Sequence, residues 1–208
     1  MKRTTQPLAL AFLFGLAVAG LATADEPGFI PLFDGKTLAG WVQPDPATGA
    51  SFAVEDGVIV GRTDGKLKKN EFLATAKPYG NFILKAKFFY KGGNSGIQFR
   101  SDREPNGRVT GPQADIADGF WGLFYEEGRR GILERFPEKE AKALYKSGEW
   151  NDFVIEARGD HVVITLNGTK VIDRTDKAFQ PSGIIALQVH VGSPMEVRFK
   201  DVEIKKLD

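Results

Sequence analysis

One segment near the middle of the chain has an apolar residue at every second position. From 82 to 90 every even position is apolar, and two of the odd positions, 85 and 87, are lysine. Because successive side chains of a β-strand point to opposite faces, this period of two predicts a strand with one buried face. A helix would instead place its apolar residues three and four apart. The core of this chain is therefore expected to contain a sheet.

Turn signals divide the rest of the chain into segments of similar length. Asp56-Gly57 separates two strand-like runs, and Asn167-Gly168 separates two more. Both dipeptides favour the tight hairpins that join antiparallel strands. The pattern gives roughly ten to twelve short strands with almost no helix, which is typical of a β-sandwich or barrel. We therefore predict an all-β domain.

The first residues have the organisation of a secretory signal peptide. Lys2 and Arg3 give a basic start, residues 8–21 are mostly apolar, and Ala22-Thr23-Ala24 supplies the small residues that a signal peptidase reads. We predict that residues 1–24 are removed and that residues 25–208 form a single domain, periplasmic or secreted. The alternative is an uncleaved anchor. No second apolar run of spanning length follows, so no membrane span is expected after signal removal.

Composition removes several classes of function. The chain has no cysteine, which excludes a disulfide framework and thiolate metal sites. Its 28 Lys and Arg residues nearly balance its 27 Asp and Glu residues, and the basic residues form no long block. Nucleic acid is therefore not an expected partner.

Three short segments combine strand-like alternation with polar residues that can do chemistry. In each segment two of these residues are two positions apart, so they share one face of the strand. The pairs are Gln98 with Arg100, Gln113 with Asp115, and Gln188 with His190. If these three faces belong to one sheet, they form a polar floor suited to an uncharged polar ligand such as a sugar. The alternative is that they are the solvent faces of half-buried strands.

The pattern breaks down between Gly119 and Gly148, apart from a weakly helical stretch at 138–146. A long irregular segment in a compact domain is usually either a functional loop or a disordered excursion, and we expect this one to form a wall of the site. Trp121 and Tyr125 are candidates to stack on a sugar face, although both can equally pack onto the core. Asn94 is a further candidate to bind substrate, or it belongs only to a turn.

The order of five motifs resembles the 3-keto-disaccharide hydrolase domain family of exported bacterial proteins. The motifs are Phe29 to Trp41, Gly93-Asn94-Ser95-Gly96-Ile97, Gly148-Glu149-Trp150-Asn151, Leu166-Asn167-Gly168 and Gly183 to His190. Each is weak alone, but five in order are fairly specific, and they cover nearly all of residues 25–208.

The resemblance implies a concanavalin A-like jelly-roll sandwich of two antiparallel sheets, with a concave face that holds glycan. It also implies cleavage of glycosides already oxidised to a ketone at C3, by hydrolysis or by lyase and hydratase steps, and it leaves room for an upstream sugar 3-dehydrogenase. The chain departs from the family pattern at one point. Gln113 stands where the family has Glu, and Asp115 stands where it has Gln, so the carboxylate has moved two places along the same strand face. Either Asp115 supplies the charge or the activity is altered.

A ketone at C3 acidifies the C2 proton, so the chemistry needs a base, an acid for the leaving group and a donor to the developing enolate. We predict His190 as base or acid, Asp115 as its orienting partner or as the second acid/base, and Arg100 as the group that stabilises the enolate. Substrate contacts are predicted from the remaining polar and aromatic candidates: Gln188, Gln98, Gln113, Asn94, Trp121 and Tyr125.

Two alternatives remain at this point. The same fold serves non-catalytic glycan-binding modules and cell-surface interaction domains, because a fold does not fix a function. No cofactor is predicted, but a divalent metal ion held by His190, Asp115 and either Glu126 or Glu127 is a further alternative.

Overall fold

The computed structural model describes residues 27–48 and 50–208, so the predicted signal peptide lies outside the described residues. The described chain is almost entirely β. Its strands, in chain order, are β1 (Ile30–Pro31), β2 (Trp41–Val42), β3 (Ala50–Glu55), β4 (Val58–Thr63), β5 (Glu71–Thr75), β6 (Phe82–Lys91), β7 (Asn94–Arg103), β8 (Val109–Ala117), β9 (Phe124–Glu127), β10 (Gly131–Glu134), β11 (Asn151–Arg158), β12 (His161–Leu166), β13 (Thr169–Thr175), β14 (Ile184–Val189) and β15 (Met195–Lys206). One α-helix, α1 (Glu138–Leu144), and one 3₁₀ turn (Pro46–Thr48) complete the described elements.

The strands form two sheets, and within each sheet all neighbouring strands are antiparallel. The larger sheet has the order β13-β12-β11-β6-β15-β4-β3, with β1 also paired to β15, and the smaller sheet has the order β10-β9-β8-β7-β14-β5-β2. The predicted sandwich of two antiparallel sheets is confirmed.

The core lies between the two sheets and contains the alternating face predicted from the sequence. Phe82, Leu84, Ala86 and Phe88 of β6 are all buried in the main hydrophobic cluster, while Tyr90 packs against it half-buried. From the smaller sheet, Ile97, Ile116 and Leu187 face the same core. Successive side chains of a strand point to opposite faces, so the residues next to these three face the opposite side of the smaller sheet.

That opposite face positions the site, because the three polar segments lie on neighbouring strands. β8, β7 and β14 are consecutive in the smaller sheet, although β14 is distant from the other two in sequence. The condition that the three polar segments belong to one sheet is therefore met.

The segment predicted as irregular, 119–148, contains more structure than expected. β9 and β10 form a hairpin that extends the smaller sheet, and α1 follows within the weakly helical stretch. The hairpin escaped prediction because each of its strands has only four residues, and a charged turn joins them. In the described part of the chain, α1 included, no helix is long and apolar enough to cross a membrane.

Candidate functional site

The polar side chains of the three central strands lie in a regular grid on the face that points away from the core. Across the strands, Gln98 pairs with Gln113 on one side and with Ala186 on the other. One step along the strands, Asp115 pairs with Gly96, and the register brings Gln188 to the other side of Gly96. One step further, the backbone N–H of His190 donates to the carbonyl of Asn94 at 3.3 Å, and Asn94 pairs with Ala117 of β8.

The glycine at the centre of this grid makes room for a side chain from the neighbouring strand. A Cβ atom at Gly96 would lie only 2.5 Å from Cδ of Gln113, so Gln113 lies across the space that a larger residue would fill. From there its Nε2 donates to Oδ1 of Asp115 at 2.5 Å and to Oε1 of Gln188 at 3.3 Å. Its Oε1 accepts from Nε2 of Gln98 at 3.1 Å. Gln113 therefore connects all three strands and fixes the Asp115 carboxyl.

A second carboxylate extends this network from the hairpin. Nε2 of Gln188 donates to Oε2 of Glu127 at 3.5 Å, and Nδ2 of Asn70 donates to Oε1 of Glu127 at 3.3 Å. Asn70 in turn accepts from the backbone N–H of Val191, beside His190. From the sequence, Glu127 is expected only as a possible metal ligand, and Asn70 is not predicted as a site residue. The signal for Glu127 was its spacing of two from Tyr125, which places both on one face of β9.

A cavity of about 220 Å³ opens above this network. Its polar floor includes the carboxyls of Asp115 and Glu127 and the imidazole of His190, and its rim includes Phe120 and Ile132. These two apolar side chains are 37% and 48% exposed, so a ligand in the cavity can contact them. The complete lining is Asn94, Gln113, Asp115, Phe120, Leu123, Tyr125, Glu127, Ile132 and His190. Converging polar groups under an apolar rim match the two kinds of surface that a sugar ring presents.

The Asp115 carboxyl is tuned to change its charge near neutral pH. Its side chain is 6% exposed, and desolvation raises its pKa to about 7 against the opposing effect of the Gln113 hydrogen bond. The charge of Glu127 raises this pKa further, and that of Arg135 lowers it. A carboxyl with this pKa can hold or release a proton at neutral pH, as a general acid or base must.

His190 has a defined tautomer in this arrangement. Its Nδ1 lies 2.5 Å from the carbonyl oxygen of Val191, and because a carbonyl only accepts, Nδ1 carries the hydrogen. In the neutral ring Nε2 then has a free lone pair. Among the described residues, no hydrogen bond joins His190 to Asp115. The structure therefore does not show Asp115 orienting His190, as one of the two predicted roles of Asp115 would require. The second histidine, His161, contacts Asp173 on the larger sheet.

Arg100 lies outside the cavity, and the prediction that it shares a face with Gln98 is wrong. Arg100 has a left-handed φ of 45°, within an irregularity of the β7–β8 register between Gln98 and Asp102. This irregularity breaks the alternation of side chains, as a β-bulge does. The guanidinium is buried and bonds groups of three connecting segments: the carbonyls of Gly80, Gly159 and Gln180 and Oδ1 of Asn81.

We expect Arg100→Met to destabilise the protein by about 3–5 kcal/mol, because it removes a buried guanidinium and leaves several partly buried acceptors without their donors. The free energy of unfolding, measured by urea denaturation, tests this. Arg158→Ala is the matched control, since Arg158 makes one exposed contact with Glu156 and its loss should cost under about 1 kcal/mol. A loss no greater than that of the control would contradict the structural role of Arg100.

The remaining predicted contacts divide into those that reach the cavity and those that do not. Asn94, Gln113 and Tyr125 line it, whereas Gln98 and Gln188 are fully buried beneath it and hold other side chains in place. Trp121 does not line it. Its ring is 3% exposed and stacks on Tyr145 with centroids 3.6 Å apart, so it mainly packs the segment before β9. Within residues 27–48 and 50–208, no group of three or more His, Asp or Glu residues is placed to hold a metal ion.

Comparison with known families and structures shows what the chain resembles. A family model described as a 3-keto-alpha-glucoside-1,2-lyase-like domain matches residues 28–205. No curated protein matches the chain. Among solved structures, a putative glycosyl hydrolase from Parabacteroides distasonis has 26% identity and a TM-score of 0.64, over 87% of this chain and 94% of that one.

Two other similar structures have different functions in their names. The carbohydrate-binding module CBM66 from Bacillus subtilis has 20% identity and a TM-score of 0.62, over 80% of this chain and 96% of that one. A beta-glucanase from Bacillus licheniformis has 10% identity and a TM-score of 0.60, over 86% of this chain and 97% of that one. At these identities the likeness shows the fold alone. It is a jelly-roll sandwich that both carbohydrate-binding modules and glycoside-cleaving enzymes use.

Proposed function

Since the chain belongs to the family of 3-keto-alpha-glucoside-1,2-lyase-like domains, we propose that it cleaves the glycosidic bond of 3-keto-glycosides, including 3-keto-disaccharides, after export from the cytoplasm. The observation that carries the proposal is that Asp115 and His190 line the same cavity. Asp115 has a pKa of about 7, and Nε2 of His190 has a free lone pair. In this proposal the ketone comes from a separate sugar 3-dehydrogenase that acts on the substrate beforehand.

The first step of the proposed reaction is removal of the C2 proton by His190. The ketone at C3 acidifies this proton, since the electron pair of the C2–H bond can be delocalised onto the C3 oxygen. Nε2 of His190 accepts the proton, because Nδ1 is already occupied by its hydrogen bond to Val191. A base in this position contributes roughly 10²–10⁴-fold to a rate.

The second step is departure of the C1 oxygen with a proton from Asp115. The C1–O bond breaks as a C1–C2 double bond forms, and the leaving oxygen takes the proton of the Asp115 carboxyl. Gln113 donates to Oδ1 of this carboxyl, which leaves Oδ2 for the proton. Burial keeps the carboxyl protonated at pH values well above the usual pKa of aspartate, so Asp115 is suited to act as the acid.

The enolate that forms between these steps needs a donor at its oxygen, and Arg100 is too distant to provide one. Asn94 lines the cavity, and no described residue hydrogen-bonds its side chain. Its amide N–H group is therefore available to donate to the enolate oxygen, which is the role that an oxyanion-binding donor plays.

Addition of water completes the reaction and restores both residues. The Asp115 carboxylate takes a proton from water as its oxygen attacks C1, and His190 returns its proton to C2. The sum of the steps is hydrolysis, although the 3-keto sugar passes through an unsaturated intermediate. The catalytic groups end in the protonation states in which they began.

The family departure at 113–115 is consistent with this proposal. Gln113 and Asp115 have exchanged the amide and the carboxylate relative to the family pattern, but the two groups still form one hydrogen-bonded pair. Either order places one carboxyl on the floor of the same cavity.

The second candidate function is glycan binding without cleavage. The similarity to CBM66 favours it, since that structure is a carbohydrate-binding module. The raised pKa of Asp115 argues against it, because ionising a buried carboxyl costs stability and a binding site gains nothing from that cost.

The experiment that tests the proposal compares a 3-keto-disaccharide with its unoxidised parent. The purified protein is incubated with each, with divalent metal ions added or with a chelator, while release of the 3-keto-sugar and of any unsaturated intermediate is followed. Release from the keto form alone supports the proposal, and an accumulating intermediate identifies elimination. Saturable binding without product would favour the glycan-binding function, and loss of activity with the chelator would support the metal alternative.

We expect Glu127→Gln to shift the alkaline limb of the kcat profile to lower pH. Removing the Glu127 charge lowers the pKa of Asp115, so the acid loses its proton earlier as the pH rises. The profile of kcat between pH 5 and 9 measures the shift. Glu156→Gln, on the larger sheet, is the control and should leave the profile unchanged. A shift to higher pH would exclude Asp115 as the group that must be protonated.

A further inference from the structure

A second cavity lies directly beside the candidate site. Its volume of about 240 Å³ is close to the 220 Å³ of the first cavity. Phe120 and Leu123 line both, so they form a shared wall between them. Two cavities of similar size on either side of one wall could hold two linked groups of one ligand.

The second cavity has the composition of a sugar subsite but no catalytic pair. Trp121 and Phe136 provide apolar walls, while Arg135 and Glu138 provide charged groups able to bond hydroxyls. Asp115 and His190 line only the first cavity. The reacting sugar therefore belongs in the first cavity, and the second is free for a part of the substrate that does not react.

Arg135 lies at the boundary between the two cavities. Its guanidinium lies 5.2 Å from the centre of the Phe120 ring, and its charge lowers the pKa of Asp115 in the first cavity. Within the described chain its side chain forms no hydrogen bond or ion pair. A cation with free donors at this boundary is close to the place where the bond between the two sugars would break.

We propose that the second cavity binds the leaving-group sugar, with Phe120 and Arg135 as the residues that determine specificity for it. This proposal rests on the proposed function, because a leaving group exists only if a bond is cleaved. The C–H face of the sugar contacts Phe120, and its hydroxyls bond to Arg135. Substrates with a large polar leaving group then gain binding energy that substrates with a small one do not.

The test measures kcat/KM for a 3-keto-disaccharide and for methyl 3-keto-glucoside, whose leaving group is too small to fill the second cavity. The variants are Phe120→Ala and Arg135→Ala. Both side chains are exposed or partly exposed, so the fold should tolerate their loss. Ile30→Ala and Arg103→Ala are the matched controls. Ile30 is exposed on the larger sheet, and Arg103 lies at the far end of β7 from Asn94, roughly 30 Å along the strand.

We expect each of the two variants to lower kcat/KM for the disaccharide at least about tenfold more than it lowers kcat/KM for the methyl glycoside. The comparison between substrates is needed because Phe120 also lines the first cavity and the charge of Arg135 also acts on Asp115. Equal losses on both substrates, or no loss on the disaccharide, would overturn the subsite while leaving the proposed function in place. Failure of the unmodified protein to cleave either substrate would instead overturn the proposed function, and the leaving-group assignment with it.

Discussion

Asp115→Asn is expected to lower kcat on a 3-keto-disaccharide by roughly 10²–10⁴-fold, because an amide cannot donate the proton that the leaving oxygen requires. Asparagine keeps the size of the side chain and can still accept the hydrogen bond from Gln113 through its oxygen. KM should change little, since the protonated carboxyl and the amide have similar polarity. The measurement is steady-state release of the 3-keto-sugar near pH 7.

A substrate with a better leaving group separates the acid role from a structural one. The 4-nitrophenyl glycoside of 3-keto-glucose releases a nitrophenolate that needs no proton. The Asp115→Asn variant should therefore retain most of the activity of the unmodified protein on this substrate. Asp152→Asn, on the larger sheet, is the control and should behave as the unmodified protein on both substrates. If Asp115→Asn lost the two activities equally, Asp115 would not be the acid.

The same substitution is expected to stabilise the protein at alkaline pH. The pKa of Asp115 is raised from 3.8 to about 7 in the folded state, so ionisation opposes folding above pH 7 and has no effect below the unfolded value of 3.8. The shift corresponds to a penalty on the order of 4 kcal/mol, reached progressively between these two pH values. Asp115→Asn should therefore raise the free energy of unfolding at pH 8 and leave it almost unchanged at pH 4. No gain at pH 8 would mean that the carboxyl is not desolvated.

The fold followed from the sequence because its signals are local. The alternation over 82–90 and the turn dipeptides at 56–57 and 167–168 depend only on neighbouring residues, and each corresponds to a strand or hairpin in the structure. Strand pairing was less accessible, since β14 lies beside β7 although more than eighty residues separate them. The polar segments nevertheless indicated the shared sheet, because their residue types were unusual for a solvent face.

The site was predictable where alternation held and not where the backbone departed from it. Asp115, Gln113 and His190 reach the cavity as expected, because β8 and β14 are regular around them. Arg100 does not, because one left-handed residue reverses the direction in which its side chain points. Arginine rarely adopts this conformation, so nothing in the local sequence indicated it.

Burial was the other quantity that alternation alone could not supply. The alternation of side chains along the strands predicts the correct face for Gln98 and Gln188. Both are nevertheless covered by Gln113 and Glu127 and do not reach the cavity. That covering layer depends on the absence of a side chain at Gly96 and on the position of the β9–β10 hairpin. Both are properties of the assembled sheet.

His190→Gln is expected to lower kcat by roughly 10²–10⁴-fold, because glutamine cannot accept the C2 proton as a base. His161→Gln is the matched control, since the only other histidine lies on the larger sheet and contacts Asp173. Exchange of the C2 hydrogen of 3-keto-glucose in deuterium oxide, followed by NMR, isolates the first step. His190→Gln should lose this exchange, whereas Asp115→Asn should retain it. Loss of exchange in Asp115→Asn with retention in His190→Gln would reverse the two roles, because the group that removes the C2 proton is the one without which exchange stops.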